Sequence, residues 1–524
     1  MSKQSRSSGP TGDQAAEKPG VDPERVRVRM YRAWKAQAAD HPGEEGMLGD
    51  CFLLRLESGT SASHILIDCG MLLGSGDAKA RMQTIAQDIA RVCGGTLDLV
   101  VISHEHWDHL SGFSQARDVF FDSGAITIKN VWMGWTENPD DAQAQRLRTR
   151  FDRSGVALAK IGARLRNEAR FGADVARREL FGLDQFTGLA ADATGDRPPR
   201  LSGRGVLDEL KKYHPTYLEP GSCRHTPGAV SLRAHVLGPP RAEDKLFKDQ
   251  PSRAAPETYL DEPSIDGLQL LRFGEGEDPD PSRDSPFAPD YCRFTLAGFD
   301  KMLAATTPPD DAVCAFVREH YYGTFGAGAI EQAAIDRRRI DTDWLSSAGA
   351  MALKLNNDTN NTSLVLAFEL PDQQRSVLLF PGDAQVGNWE SWHSRDYDAG
   401  DGVKIKAADL LARTLLYKVS HHGSHNATLR EQGLEMMTHP GLFAMIPTDE
   451  VLGKQQGSGW MMPNPRVNKA LRKQTGGRIL RNDRRYDGDR SVDPETRDVP
   501  ADFLAKLTET DLFLEYPVYE GRSA

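Results

Sequence analysis

The sequence has few cysteines and no long apolar run, and both absences limit what the protein can be. No stretch approaches the ~18 apolar residues that a membrane-spanning helix needs. The six cysteines are scattered, and none forms a C-x-x-C pair, which argues against a zinc ribbon or a thioredoxin-like motif. The first residues lack the apolar segment of a secretory signal. We therefore expect free thiols, a cytoplasmic location and no membrane partner.

Positive charge is also in short supply. The net charge of -11 argues against a protein that coats nucleic acid over its whole surface. Residues 466–490 are a local exception, with nine Arg or Lys against three Asp. This stretch either contacts phosphate groups or forms a solvated helix face and loop, and both interpretations remain open.

Patterning divides the chain into four parts. Residues 1–24 are rich in Ser, Gly, Lys and Glu and predict a disordered tail. Residues 25–125 show a strand, strand, helix, strand order that is typical of an α/β fold. Residues 126–350 are less regular and predict an insertion, partly helical and partly loop, that covers the site. Regular strands return over 351–524, which ends in a C-terminal extension.

A cluster of metal-type side chains follows the apolar residues 97–102, which predict a buried strand. His104, His106, Asp108 and His109 place four potential ligands within six residues. A strand that ends in such side chains delivers them to one point at the edge of its sheet. The residues predict a metal-dependent hydrolase.

Two later predicted strands end in the same way. Residues 376–380 lead to Asp383, and residues 415–419 lead to His421 and His422. Imidazole nitrogen and carboxylate oxygen are good ligands for Zn²⁺ and also serve Mn²⁺. We expect one or two zinc ions, with manganese as the alternative, and a carboxylate such as Asp383 can bridge two of them.

Other motif interpretations fail on single positions. The helical zinc motif H-E-x-x-H needs a histidine where the chain has Asp108. Residues 356–361 begin like a calcium loop, but Ala367 stands where the bidentate glutamate belongs. The glycine-rich residues 323–328 lack the Lys-Ser/Thr ending of a phosphate loop.

The pattern His104-x-His106-x-Asp108-His109 resembles the metallo-β-lactamase superfamily, together with residues 66–70 before it and Gly382-Asp383 after it. More narrowly, the chain resembles the hydrolase domain of ComEC-type DNA-uptake proteins and their stand-alone relatives. The narrower resemblance is carried by four further segments: residues 49–54, 361–366, 380–384 and 418–424. It implies an αββα sandwich with metals at one edge, between the two sheets.

The resemblance also implies ligand roles. His104 and His106 would hold a first metal, with Asp383 bridging to a second. The second would be held by Asp108, His109 and either His421 or His422, and Asp68 would support the site from behind. The superfamily's usual third histidine for the first metal is missing from residues 356–363. The subgroup shares this replacement, so the first metal would be completed by water, an asparagine or the substrate.

The expected chemistry is attack by metal-activated water on a phosphodiester in nucleic acid or a nucleotide. Asp108 would orient the water, while Lys418 and His425 would neutralise charge or donate a proton. The simpler alternatives are an exposed strand residue for Lys418 and a loop residue for His425. Hydrolysis of a thioester, lactone or amide remains open because one scaffold hosts many reactions. A non-catalytic binding module with a degenerate metal site is the third interpretation.

Overall fold

The structure is a computed structural model, and it describes residues 19–32, 48–72, 77–153, 203–252, 257–258, 354–399, 402–455, 461–487, 490 and 493–521. The chain divides into two compact units. The first comprises Met1–Gln145, Ala190–Glu262 and Asn357–Ala524, and the second comprises Arg146–Leu189 and Pro263–Asn356. Of the second unit, residues 146–153 and 354–356 are described, and they are helical. Most of the predicted tail and much of the predicted insertion lie outside the described residues.

The first unit contains an eight-stranded mixed sheet. Its strands, in spatial order, are β18 (Thr508–Glu509), β19 (Phe513–Glu520), β1 (Arg25–Tyr31), β2 (Cys51–Ser58), β3 (Ser61–Cys69), β5 (Leu99–Val101), β7 (Val131–Gly134) and β8 (Pro215–Leu218). Pairing is antiparallel from β18 to β3 and parallel from β3 to β8.

A seven-stranded mixed sheet repeats this arrangement. Its strands, in spatial order, are β17 (Ile479–Arg481), β16 (Phe443–Ile446), β15 (Thr414–Lys418), β12 (Val377–Phe380), β11 (Val365–Glu369), β10 (Arg233–Gly238) and β9 (Cys223–His225). Pairing is antiparallel from β9 to β12 and parallel from β12 to β17. Two small sheets pair β4 (Thr96–Leu97) with β6 (Thr127–Ile128), and β13 (Asp396–Asp398) with β14 (Lys404–Lys406).

Helices of the first unit cover the outer faces of both sheets. The described helices are α1 (Ala78–Val92), α2 (Trp107–Gln115), α3 (Gly203–Leu210), α4 (Glu243–Leu246), α5 (Val386–Trp392), α6 (Ala407–Ala412), α7 (Glu450–Gln455), α8 (Pro465–Thr475), α9 (Pro494–Arg497) and α10 (Ala501–Leu504). A π-helical turn spans Asp118–Asp122, and 3-10 turns span Trp135–Glu137, Ser420–Gly423 and Leu434–Met436.

Alternation along the strands builds three apolar layers. In β2, Leu54 points into the layer between the sheets, while Leu53 points to the layer under α1, α2 and α3. In β12, Leu378 points inward, while Leu379 joins the layer under α5, α6 and α8. Successive strand residues face opposite sides of a sheet, so both sheets bury both faces. The predicted α/β fold, an αββα sandwich, is confirmed.

Several predicted elements differ from the structure at their ends. Residues 97–102 were predicted as one strand but form β4 and β5, because Asp98 between them receives a hydrogen bond from the His64 amide (2.9 Å). The sequence of residues 403–413 also predicts a short helix, but in the structure this segment begins as β14. The helix α6 starts only where the Asp409 carboxylate accepts a hydrogen bond from the Lys406 amide (2.8 Å). Among the described residues, no helix has the length and apolarity to cross a membrane.

The ion pair of Glu369 gives a stability prediction that is independent of the metal site. Burial opposes ionisation of this glutamate, but His235 and Arg413 outweigh it and lower the pKa of Glu369 to about 2. The Arg413 guanidinium donates to Glu369 over 2.8 Å. The carboxylate therefore stabilises the fold above its ordinary pKa of 4.5, and this contribution is lost as the pH falls towards about 2.

We expect Glu369→Gln to destabilise the protein at pH 6.5 and to do so less at pH 3.5. At pH 3.5 Glu369 is mostly protonated in the unfolded chain, so the folded-state carboxylate contributes less stability. The measurement is the free energy of unfolding in urea at the two pH values. Glu520→Gln is the control, because the Glu520 side chain is 61% exposed. A Glu369→Gln effect of equal size at both pH values would contradict the prediction.

Candidate metal centre

The candidate site lies where parallel strands of both sheets end. Asp68 stands at the end of β3, His104 to His109 follow β5, Asp383 follows β12, and His421 and His422 follow β15. The carboxyl ends of parallel strands are the common place for ligand sites in α/β sheets. The fold thus brings together side chains that are distant in the sequence.

One group of side chains consists of His104, His106 and Asp383, all buried. His104 Nε2 and His106 Nδ1 lie 2.8 Å apart, although neither is part of a helix or strand that would force this contact. The ligand atoms of all three residues lie within 4.8 Å of one another. This group could hold a metal ion.

A second group consists of Asp108, His109, Asp383 and His422, so Asp383 belongs to both groups. His422 Nε2 lies 3.0 Å from Asp108 Oδ2, and His109 Nε2 lies 3.2 Å from Asp383 Oδ2. Two imidazoles and two carboxylates form a donor set of the kind that binds zinc or manganese. A shared carboxylate can supply one oxygen to each of two cations.

The two adjacent histidines of the later motif separate within the site. Both have left-handed backbone angles, with φ of 46° for His421 and 53° for His422. Such angles cost about 1–2 kcal/mol per non-glycine residue. The turn directs His422 into the second group, while His421 Nε2 lies 4.0 Å from Asp383 Oδ2.

Hydrogen bonds on the far side of the rings determine which nitrogen of His109 and of His422 faces the donor group. His109 Nδ1 lies 2.8 Å from Asp68 Oδ2, and His422 Nδ1 lies 2.7 Å from the carbonyl oxygen of Pro447. Both of those oxygens are acceptors, so each Nδ1 carries a proton and each Nε2 is the nitrogen that faces the group. Such outer partners orient the ligands of metal sites in general.

Ser103 and Asp68 connect the histidines to the sheet. The Ser103 hydroxyl donates to Asp68 Oδ2 over 2.6 Å, and the Ser103 amide donates to Asp68 Oδ1 over 2.8 Å. The same hydroxyl lies 3.0 Å from His104 Nδ1 and 3.2 Å from His109 Nδ1. Asp68 therefore has the supporting position that the resemblance implied for it.

Two glycines permit the close approach of the segments that carry ligands. A Cβ atom on Gly70 would lie 2.4 Å from the Asp108 backbone carbon, and one on Gly382 would lie 2.8 Å from Ser103 Cβ. Gly382 also has a φ of 58°, which favours glycine. A larger residue at either position would displace Asp108 or Asp383 from the site.

Negative charge exceeds positive charge in this interior. The described groups contain the carboxylates of Asp50, Asp68, Asp108 and Asp383, and the ammonium of Lys418 lies beside two of these, Asp50 and Asp383. Lys418 pairs with Asp50, donates to the Gly382 carbonyl over 3.0 Å and lies 3.6 Å from Asp383 Oδ1. Buried charges in proteins are paired or coordinate metals. The surplus of carboxylates fits a site for cations.

Unpartnered atoms point to the same conclusion. Three buried atoms of the site have no hydrogen-bond partner: His109 Nε2, Asp383 Oδ1 and Asp50 Oδ1. Leaving such atoms unsatisfied costs about 1–3 kcal/mol each. A cation at the shared carboxylate would satisfy the first two, so the donors present fit a bound metal.

The pKa shifts in the site follow from burial and from these carboxylates. Burial lowers the pKa of His106 to about 4 and that of His421 to about 4, against the opposing effect of Asp383. Burial also disfavours the charged form of His109, but Asp383 and the other carboxylates outweigh it and raise its pKa well above the usual value. In Asp108, burial is outweighed by His109 and His422, which hold its pKa low.

Solvent reaches the site from one side. The side chains of Asp108 and His421 are 14% and 12% exposed, whereas those of His109, His422 and Asp383 are 3% exposed or less. Asp108 and His421 are thus the more accessible side chains of the site. The role of Asp108 in orienting an attacking water stays a prediction.

The two other predicted catalytic residues differ in burial. Lys418 is 1% exposed and lies 3.6 Å from Asp383 Oδ1, where it holds carboxylates in position, and a catalytic role for it stays a prediction. His425 is half-buried in the loop after the 3-10 turn, and its role remains a prediction.

Sequence reasoning missed three residues of the site. Asp50 and Ser103 make the contacts described above, and Asn360 is a fully buried side chain beside His106. Asp50 follows a glycine and directly precedes β2, within the motif residues 49–54, where it was given no role of its own. Ser103 directly precedes the histidine cluster, so its position in the sequence could have identified it as part of the site.

The basic stretch 466–490 is largely neutralised. Four of its arginines pair with carboxylates: Arg472 with Glu495, Arg481 with Asp483 and Glu450, Arg484 with Glu450 and Asp483, and Arg485 with Asp511. Arg478 donates to the carbonyl groups of Leu442 and Pro440. These groups stabilise the end of the chain internally, which favours the solvated-face interpretation over phosphate binding.

Comparisons of the chain with protein-family models and with curated proteins found no match.

Proposed function

We propose that this protein is a metal-dependent hydrolase that cleaves phosphodiesters. The observation that carries the proposal is the pair of donor groups that share Asp383. Two adjacent cations are a common arrangement for phosphodiester cleavage, because one side of the phosphate needs a nucleophile and the other a stabilised leaving oxygen. The resemblance of the motifs to the metallo-β-lactamase superfamily, and to the ComEC-type hydrolase domain within it, supports the same choice.

The residues that would hold the cations are His104, His106 and Asp383 for one, and Asp108, His109, His422 and Asp383 for the other. Bound divalent cations would supply Lewis-acid activation of water and of the phosphoryl group.

The chain's own contribution is orientation and electrostatics. Asp68 fixes the ring of His109, and Lys418 holds Asp50 and Asp383 against one another. Asp108 stands at the open side of the site with a lowered pKa, so its carboxylate is ionised at neutral pH and can accept a hydrogen bond from water. A substrate phosphate would meet this side of the site first.

The donor groups support this substrate class, whereas the basic stretch adds little because four of its arginines pair with carboxylates. A phosphodiester of a nucleotide or of a nucleic acid end is therefore as suitable as a long polymer. Hydrolysis of a thioester, lactone or amide uses similar ligands and is the alternative that an experiment must separate.

We expect the full chain, loaded with Zn²⁺ or Mn²⁺, to hydrolyse bis-p-nitrophenyl phosphate at neutral pH and to lose this activity in chelator. Asp108→Ala should lower turnover by at least about 100-fold, because single groups that stabilise the reaction contribute this much in other enzymes. The measurement is turnover together with metal content by elemental analysis.

The outcomes discriminate among the three interpretations. Metal content with cleavage of a thioester or lactone ester, and none of the phosphodiester, would replace the proposed substrate class. Neither metal nor turnover in the correctly folded chain would leave a binding module with a degenerate site.

A further inference from the structure

The two donor groups differ in charge. The second group contains two carboxylates, Asp108 and Asp383, whereas the first contains one carboxylate, Asp383, and two imidazoles. Cation affinity rises with the number of charged ligands. The first group is therefore the weaker one unless another side chain completes it.

Asn360 lies where such a side chain is needed. Its side chain is fully buried beside the ring of His106. Apart from this contact with the His106 ring, the polar atoms of the Asn360 amide have no hydrogen-bond partner. A buried amide with so few partners is costly, and native proteins seldom contain one without a reason.

Backbone hydrogen bonds fix the position of Asn360 beside His106. The Asn360 carbonyl accepts a hydrogen bond from the Ser363 amide over 3.0 Å, and the Leu364 amide donates to the Ser103 carbonyl over 2.8 Å. The second contact ties this turn to the residue that precedes His104. The neighbouring amides have partners: Asn361 accepts from the Gln385 amide, and Asn357 accepts from the Gln385 side chain.

We infer that Asn360 supplies its amide oxygen as a further ligand of the first cation site, and that this neutral ligand makes the first site the weaker of the two. The inference rests on the proposed metal-dependent function and names a residue that completes its centre. A carbonyl oxygen suits Mn²⁺ and tolerates Zn²⁺, whereas a third histidine would favour zinc. The two cations would then bind in sequence, the second group first.

The test compares the full chain with Asn360→Leu by equilibrium dialysis against Mn²⁺ and Zn²⁺, with metal content measured by elemental analysis. We expect two equivalents in the unaltered chain, and a weakening of one of them by at least about tenfold in the variant, since even outer partners of metal ligands contribute this much. Asn360→Asp places a charged oxygen at the same position and should tighten that equivalent.

Thermal unfolding of the metal-free proteins supplies the second readout. Leucine removes the unsatisfied amide, so metal-free Asn360→Leu should unfold at the same temperature as the unaltered chain or a higher one. Asn361→Leu is the matched control: it removes a partnered amide and should lower that temperature while keeping both metal equivalents.

The inference is overturned if Asn360→Leu and the unaltered chain bind the metals with the same stoichiometry and affinity. It is equally overturned if metal-free Asn360→Leu unfolds at a lower temperature, because Asn360 would then be a structural residue. Either result leaves the proposed function standing when the unaltered chain binds metal and cleaves phosphodiesters. A chain that binds neither metal would overturn both.

Discussion

Asp383→Ala is expected to reduce the affinity for both cations and to lower phosphodiester turnover by more than about 100-fold. Outer partners of metal ligands alone change affinity or activity by about 10–100-fold, and Asp383 belongs to both donor groups. Its loss also leaves His109 Nε2 without the carboxylate oxygen that lies 3.2 Å away. Of the described residues, Asp383 is the one that belongs to both donor groups.

Metal content and the thermal shift on adding Zn²⁺ measure this prediction alongside turnover. A ligand present at 100 times its dissociation constant stabilises a protein by about 2.7 kcal/mol, and Asp383→Ala should lose most of this shift. Asp396→Ala is the control, because that carboxylate is 52% exposed and pairs with Lys406. Retention of two tightly bound cations in Asp383→Ala would contradict the assignment of the bridging ligand.

Lys418→Met is expected to destabilise the fold by about 3–5 kcal/mol, the usual result of removing one partner of a buried ion pair. Lys418 and Asp50 are 1% and 3% exposed, and the ammonium also contacts Asp383. Methionine leaves two buried carboxylates without their cation. Adding Asp50→Asn to Lys418→Met should recover part of the loss, since it removes one of the uncompensated charges.

The free energy of unfolding in urea measures both effects, with chelator present to exclude any influence of metals. Lys404→Met is the control, because Lys404 and Asp398 are 59% and 46% exposed and such pairs contribute at most about 1 kcal/mol. A loss for Lys418→Met no larger than that of the control would show that the pair contributes little to stability.

Much of the site was predictable because consecutive polar side chains follow apolar runs. His104 to His109 and Asp383 were found this way, since strands that end at one edge bring their next residues together. The same logic found most strands of both sheets. It failed at residues 97–102, where the periodic pattern is unbroken but the Asp98 side chain captures a backbone amide of β3.

Other features depend on tertiary contacts that no local pattern encodes. The choice between His421 and His422 is set by two left-handed backbone angles. Lys418 looked equally suited to the surface, and its burial follows from the approach of Asp50 from the other sheet. Asn360 lies in a polar stretch that begins like a calcium loop, and its contact with His106 distinguishes it from Asn361, which is equally buried.

The most direct test is the anomalous diffraction of crystals of the full chain grown with zinc. We expect a zinc peak about 2.0–2.2 Å from the Nε2 atoms of His109 and His422 and from a carboxylate oxygen of Asp383. A second peak beside His104 and His106 would complete the centre. Zinc bound elsewhere, with no peak among these side chains, would contradict the account.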